Sequence, residues 1–269
     1  MVGTGLGDSI GRSREGYGMM DEEAIRKEVK EKSLLRYTDD TQQMMALAES
    51  LVESRGFDGQ NFADKLVQRF DPARGYGPGS SRVIKDLGRG DPWDEPATRL
   101  FGGEGSYGNG SSMRIAPVGL YSYEDLDGLK DMARKSSSVT HVHSLGKEGA
   151  FLQAASVALA TRRDPSSGID EHDFLTELRA VVREEKYEEK LDIVDALLDM
   201  KPDRSKVVGK LGNGIEAFNS VPTAVYCFLS HPDNFEEAVL YAVGLGGDAD
   251  TIGAMSGAIA GAYHGYDKI

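Results

Sequence analysis

The chain contains one cysteine, Cys227, in 269 residues, so no disulfide can close within it. Cys227 lies in the apolar run Val225-Tyr226-Cys227-Phe228-Leu229, which predicts a buried thiol in a reducing compartment. Long hydrophobic runs are also missing. The most apolar stretch, at the C-terminal end, is too short and too rich in glycine for a membrane span of about 20 residues. Residues 1–14 lack the apolar centre of a signal peptide. A soluble intracellular protein is expected, cytoplasmic or in another reducing compartment. Positive charge is scarce as well: the net charge is −13, which argues against a non-specific nucleic-acid binder. An anionic ligand would have to be held by metal, backbone N–H groups and helix N-termini. There is no set of alternating strands and no repeat of fixed length. Helical periods dominate, and they predict an all-α fold: one compact domain over residues 1–269, of roughly a dozen helices, with function on the loops between them.

Against that background Gly246-Gly247-Asp248-Ala249-Asp250-Thr251 stands out. The glycine pair suits a sharp turn, and either aspartate suits a helix start. Behind it, residues 252–265 carry Ala254, Gly257, Ala258, Gly261 and Ala262, a face almost bare of side chain. Glycine costs a helix about 1 kcal/mol relative to alanine, so this face predicts the close approach of another helix. Capping alone would explain one aspartate, at about 1 kcal/mol. It does not explain two in a region with no Lys or Arg between Leu211 and Asp267. Two like charges about 4 Å apart repel by ~4 kcal/mol at an effective dielectric near 20. A hard divalent cation relieves that repulsion, since carboxylate and hydroxyl oxygens suit Mg²⁺, Ca²⁺ or Mn²⁺.

A second acidic cluster, Thr38-Asp39-Asp40-Thr41, precedes Met44, Met45, Leu47, Ala48, Leu51 and Val52, which share one helix face. Two adjacent acids between threonines supply more oxygen than a cap requires. Near the start, Asp8 reads as a polar residue in a glycine-rich terminus and Glu15 as a surface glutamate. Helices are expected over 57–70, 113–120, 126–137, 145–160, 174–183, 187–200, 217–229 and 235–245. Pro222 predicts a kink or break in the seventh of these. The glycine-dense loop 101–110 runs into the 113–120 segment. Such loops can cradle phosphates through backbone N–H groups, but without a Walker lysine or a preceding strand the signal is weak by itself. His141 and His143, two apart in a chain with five histidines, suit a ligand contact or a helix-start hydrogen bond better than a transition-metal site.

Taken together, Gly7-Asp8 with Gly11, Thr38-Asp39-Asp40-Thr41 and Gly247-Asp248-Ala249-Asp250-Thr251 resemble the ADP-ribosylglycohydrolase family. The chain looks most like its ADP-ribosylserine hydrolase branch, which also cleaves poly(ADP-ribose). Supporting segments are Arg74-Gly75-Tyr76-Gly77, residues 105–110, Thr140-His141, Ser144-Leu145-Gly146, residues 211–215 and Ser220-Val221-Pro222-Thr223-Ala224. The resemblance runs from about Gly3 to Gly265. It implies an all-α glycosidase with two Mg²⁺ ions, Mn²⁺ being an alternative.

The implied metal ligands are Thr38, Asp39, Asp40, Asp248, Asp250 and Thr251. The implied catalytic set is Glu15, Asp39, Asp40 and Asp248, with Glu15 matching a mobile glutamate that acts as general base or as a lid over the metals. Phe101 and His141 match contacts to the ADP-ribose rings. Gly105, Ser106, Tyr107 and Gly108 match a diphosphate loop, and Asn213, Gly214 and Ile215 a further wall. Ala249, His143 and Ser111 depart from the commoner residues. Implied partners are ADP-ribosylated proteins, ADP-ribose or poly(ADP-ribose), with no direct nucleic-acid or membrane binding, and a monomer is expected. The competing readings are an ADP-ribosylarginine N-glycohydrolase of the same fold, and a non-catalytic ADP-ribose binder or structural protein.

Overall fold

The apolar periods become fourteen α-helices in the computed structural model, which describes residues 1–269. They are α1 (Val2–Gly11), α2 (Glu22–Glu31), α3 (Asp39–Ser54), α4 (Gly59–Arg69), α5 (Pro78–Leu87), α6 (Ala116–Tyr121) and α7 (Leu126–Ser138), followed by α8 (Ser144–Arg162), α9 (Glu171–Val181), α10 (Glu185–Met200), α11 (Arg204–Leu211), α12 (Ala217–Ser230), α13 (Phe235–Gly244) and α14 (Ala249–His264). There is no strand, only an isolated bridge between Gly108 and Glu216. No helix is long and apolar enough to cross a membrane.

Many helix starts follow from ordinary capping. Asp58, Asp125, Asp170, Asp203 and Asn234 each accept a backbone N–H from the first turn that follows, satisfying an otherwise orphaned donor. Two starts differ from the sequence reading. The helix expected from residue 113 begins at Ala116, because Pro117 in its first turn has no N–H and a fixed φ, which suit that position and no deeper one. The helix expected to break at Pro222 runs through it. Residues 220–229 are all buried, and that packing outweighs one lost backbone hydrogen bond.

Three nearly all-buried helices, α8, α12 and α14, pack against one another at the centre. Cys227 lies here, and burial pushes its thiol far above its usual range. The bare face of α14 meets α1. A Cβ added to Gly7 would sit 2.0 Å from the Gly253 carbonyl oxygen, and one on Gly3 2.1 Å from that of Gly257. Only glycine permits backbones this close. This contact carries Asp8, between Gly7 and Gly11 on α1, to the N-terminal end of α14.

Candidate active site

The acidic residues converge although four chain segments supply them. Asp39 and Asp40 form the first turn of α3, and Asp250 that of α14. Asp248 holds the N-cap position of α14, yet its side chain accepts no capping hydrogen bond. Its Oδ2 instead accepts from Asn109 Nδ2 at 2.5 Å. Capping therefore does not account for Asp248. Carboxylate oxygens of Asp8, Asp40 and Asp250 lie within 4.8 Å of one another, as do those of Glu15, Asp248 and Asp250. Asp250 is common to both trios.

Asp8 corrects its sequence reading. It is fully buried, and its carboxylate accepts from the backbone N–H groups of Thr38 (2.9 Å) and Thr41 (3.1 Å) and from Thr41 Oγ1. It thus clasps α1 to the start of α3, beneath the cluster. Thr38 stands behind Asp40, donating from Oγ1 to Asp40 Oδ2 at 2.8 Å. The other oxygen of Asp40 is buried with no protein partner.

Electrostatics make the cluster costly as it stands. Burial, then the charges of Asp8, Asp250, Asp39 and Asp248, hold Asp40 well above the usual carboxylate range. Burial and the neighbouring Asp248, Glu15 and Asp8 push Asp250 up to about 9, and burial pushes Asp39 up to about 7. Asp8 and Asp248 are raised by burial against the pull of their hydrogen-bond donors. None of the five forms an ion pair with a Lys or Arg, although the buried Arg114 is near enough to Asp39 for their charges to attract. An all-oxygen donor set, two trios sharing one carboxylate and an orphaned Asp40 oxygen fit hard divalent cations.

These groups end a solvent-open cleft of about 210 Å³. Glu15, Asp39, Asp40, Asp248, Asp250 and Thr251 line one end. Phe101, Ser106, Gly108, His141 and Ile215 line the other. Phe101 is exposed and holds a left-handed backbone (φ 50°), an unusual conformation for a bulky residue. His141 is buried, and burial, then nearby Arg114, pushes it down to about 3, so it faces the cleft as a neutral ring. Its Nδ1 lies 2.7 Å from Thr140 Oγ1. His143 takes a separate role, accepting the Leu145 N–H at the start of α8.

Thr38, Gly105, Tyr107, Asn213 and Gly214 do not line the cleft directly. The Tyr107 ring packs against His143 and Phe218. Its carbonyl accepts from Ala217 N at 3.0 Å, while Asn109 N donates to Ile215 O at 2.9 Å. The 105–110 loop is thereby clipped to the 213–216 loop. Asn213 extends the chain of contacts: its carbonyl accepts from Asp248 N at 2.8 Å, and its Nδ2 donates to Leu245 O. The Glu15 segment is tied to the same turn, with Gly16 N donating to Gly247 O and Gly247 N to Tyr17 O.

Sequence reasoning passed over Asn109, Gln43 and Arg114. Gln43 Nε2 donates to Asp39, and Arg114 Nη1 donates to Gln43 Oε1. The signals were present. Gln43 is four residues from Asp39 on one helix face, and Arg114 is a lone charge in an apolar segment, which must find partners when buried.

Carboxylates gathered around Asp250 at one end of a cleft lined also by a neutral imidazole form a donor set suited to hydrolysis assisted by metal ions. The chain belongs to the ADP-ribosylglycohydrolase family, whose model matches residues 1–269. It is therefore a hydrolase of ADP-ribose glycosidic bonds from a metal-dependent family. It is 38% identical to the Homo sapiens protein ADP-ribosylhydrolase ARH3 over 314 aligned positions, covering 100% of this chain and 85% of the human one. It is 33% identical to ADP-ribosylhydrolase ARH3 of Danio rerio, covering 100% of this chain and 82% of that protein. Its fold is similar to a solved ADP-ribosylglycohydrolase-related protein complex (TM-score 0.74, 27% identity, covering 100% of this chain and 87% of that one).

Proposed function

We propose that this chain, acting as one domain over residues 1–269, releases ADP-ribose from serine-linked ADP-ribosylated protein and from poly(ADP-ribose). The observation that carries the reading is the pair of carboxylate trios sharing Asp250 at one end of the cleft. The serine-type segments and the full-length likeness to proteins named ADP-ribosylhydrolase support the branch.

Asp8, Asp39, Asp40, Asp248, Asp250 and Thr251 would hold two Mg²⁺ ions, with Mn²⁺ as a substitute and Thr38 supporting Asp40 from behind. Bound there, the cations would supply charge neutralisation and Lewis-acid polarisation of the ribose hydroxyls. The chain's own groups do the rest. Phe101, His141 and Ile215 flank the rings, and Ser106 and Gly108, whose N–H donates to Ser106 Oγ, line the wall toward the diphosphate. Asn109 fixes Asp248. Glu15, the exposed member of its trio, takes a proton from the attacking water. The water oxygen bonds to the anomeric carbon, the bond from that carbon to the serine oxygen breaks, and the departing oxygen takes a proton from solvent.

The test is release of free ADP-ribose from serine-ADP-ribosylated and arginine-ADP-ribosylated peptides, each with Mg²⁺ and with EDTA. Mg²⁺-dependent release from the serine peptide alone is expected. Release from the arginine peptide alone would keep the family and overturn the branch. Binding of ADP-ribose without release from either would overturn both linkages.

A further inference from the structure

A second groove adjoins the carboxylate end of the cleft. Arg12, Leu34, Arg36, Tyr37, Asp71 and Arg74 line it, around about 730 Å³ of open space. Three segments of chain pass from this groove directly into the cleft: Arg12 leads to Glu15, Tyr37 to Asp39, and Arg74 to Gly75. A Cβ on Gly75 would lie 3.9 Å from Asp39 Oδ1. The groove thus adjoins the carboxylate end, where the bond is cut in the reading above.

The groove's charge is opposite to its surroundings. Three arginines and one aspartate give +2, beside a cleft lined by five carboxylates in a chain of net charge −13. Arg74 is fixed: its Nη1 donates to Tyr37 O at 2.8 Å, its guanidinium lies 4.0 Å from the Tyr37 ring centroid, and its Nε sits 3.5 Å from Asp71. Asp71 also accepts the Ala73 N–H, so its charge is spent locally. Arg12 and Arg36 are exposed and form no ion pair within the chain. Planar guanidiniums bind phosphate oxygens through paired hydrogen bonds, and Leu34 adds exposed apolar surface for a flat base.

We propose that this groove is a subsite for the diphosphate of the ADP-ribose unit on the leaving side of the scissile bond. The protein would then hold a polymer on both sides of the cut. The proposal rests on the ADP-ribose hydrolase reading above. A mono-ADP-ribosylated serine, with no second diphosphate, leaves the groove unfilled, so polymer and single adduct are distinguished there.

The experiment measures initial binding, before turnover, of labelled poly(ADP-ribose) oligomers and of monomeric ADP-ribose, with Mg²⁺ and in low salt, to the wild type and to the Arg12→Gln/Arg36→Gln double variant. Peptides mono-ADP-ribosylated on serine, with acidic or neutral flanks, form a third arm. The double variant is expected to bind oligomer about tenfold more weakly, with a shallower salt dependence and unchanged monomer binding. Each single variant should fall between. Equal binding of oligomer by both proteins, equal weakening for monomer and oligomer, or a loss confined to acidic-flanked peptides would overturn the proposal. If the oligomer contrast holds but Mg²⁺ supports no cleavage of either substrate, the groove stands and the hydrolase reading fails.

Discussion

Gln43 Nε2 donates to Asp39 Oδ2 at 2.7 Å, one helical turn along α3. The other end of the same amide accepts from Arg114 Nη1 at 2.8 Å. Arg114 has no exposed surface, and burial pushes its guanidinium down to about 9. Its Nη2 donates to Ser136 O, and its guanidinium lies over the Phe62 ring. Asp39 is thus oriented from behind by a relay whose far end is locked in the core. Gln43→Leu should weaken metal binding about 10- to 100-fold, the usual cost of losing a partner that orients a ligand. Calorimetric Mg²⁺ titration checks this, and unchanged affinity would show that the relay only supports the fold.

Asp248→Asn should abolish ADP-ribose release while leaving the fold intact. The substitution keeps the volume and removes one charge from a crowded set. In EDTA the variant should melt at or above the wild-type temperature, because like-charge repulsion falls. Parallel activity and thermal melts decide it, and full activity would exclude Asp248 from the site. Asp39→Asn should lose activity in the same way.

The metal-free protein should lose stability as pH rises. Folding raises Asp39 to about 7 and Asp250 to about 9 from an ordinary aspartate value of 3.8. Between 3.8 and those values the folded state binds more protons than the unfolded state, so the slope of stability against pH is negative. The stability is full below about pH 4 and is lost through the folded values as the carboxyls ionise. Mg²⁺ should reverse the trend, because it binds the ionised cluster. Melting with EDTA and with Mg²⁺ at pH 5.5 and 8.5 tests this, and the Mg²⁺ increment should be larger at pH 8.5.

Gly7→Ala should be strongly destabilising. Its methyl would meet the Gly253 carbonyl at 2.0 Å, and forcing the backbones of α1 and α14 apart costs on the order of 3 kcal/mol. Gly209→Ala on α11 is the control. Nothing lies within 4 Å of the added carbon there, so helix propensity alone should stabilise by about 0.5–1 kcal/mol. Urea denaturation of both variants separates packing from propensity.

The apolar periods were enough to place most of the helices, though not α1, α2, α5 or α11, and excess carboxylate marked both acidic clusters, because both are local properties. Composition was likewise enough to exclude an internal disulfide. Asp8 was misread because its neighbours in sequence are glycines, while its neighbours in space are Thr38, Thr41 and the carboxylates of Asp40 and Asp250. The ring of Tyr107, in the loop matched by motif to a diphosphate, packs against Phe218, a contact set by residues far apart in the chain. Pro222 signals a break by local rules that the burial of α12 overrides.

The sequence by itself determined the all-helical class, the two carboxylate motifs and the small-residue face of α14. Each depends on residues within a few turns of one another. Only the tertiary structure decided which helix fills that face, and so which carboxylates meet. The glycines of α1 and α14 bring two backbones into contact, a long-range fit that no local pattern encodes, and the contact carries Asp8 to Asp250. The buried Arg114 behind Asp39 and the arginine groove beside Glu15 arise in the same way. Residues far apart in the chain become neighbours because packing, not sequence distance, sets what each charge faces.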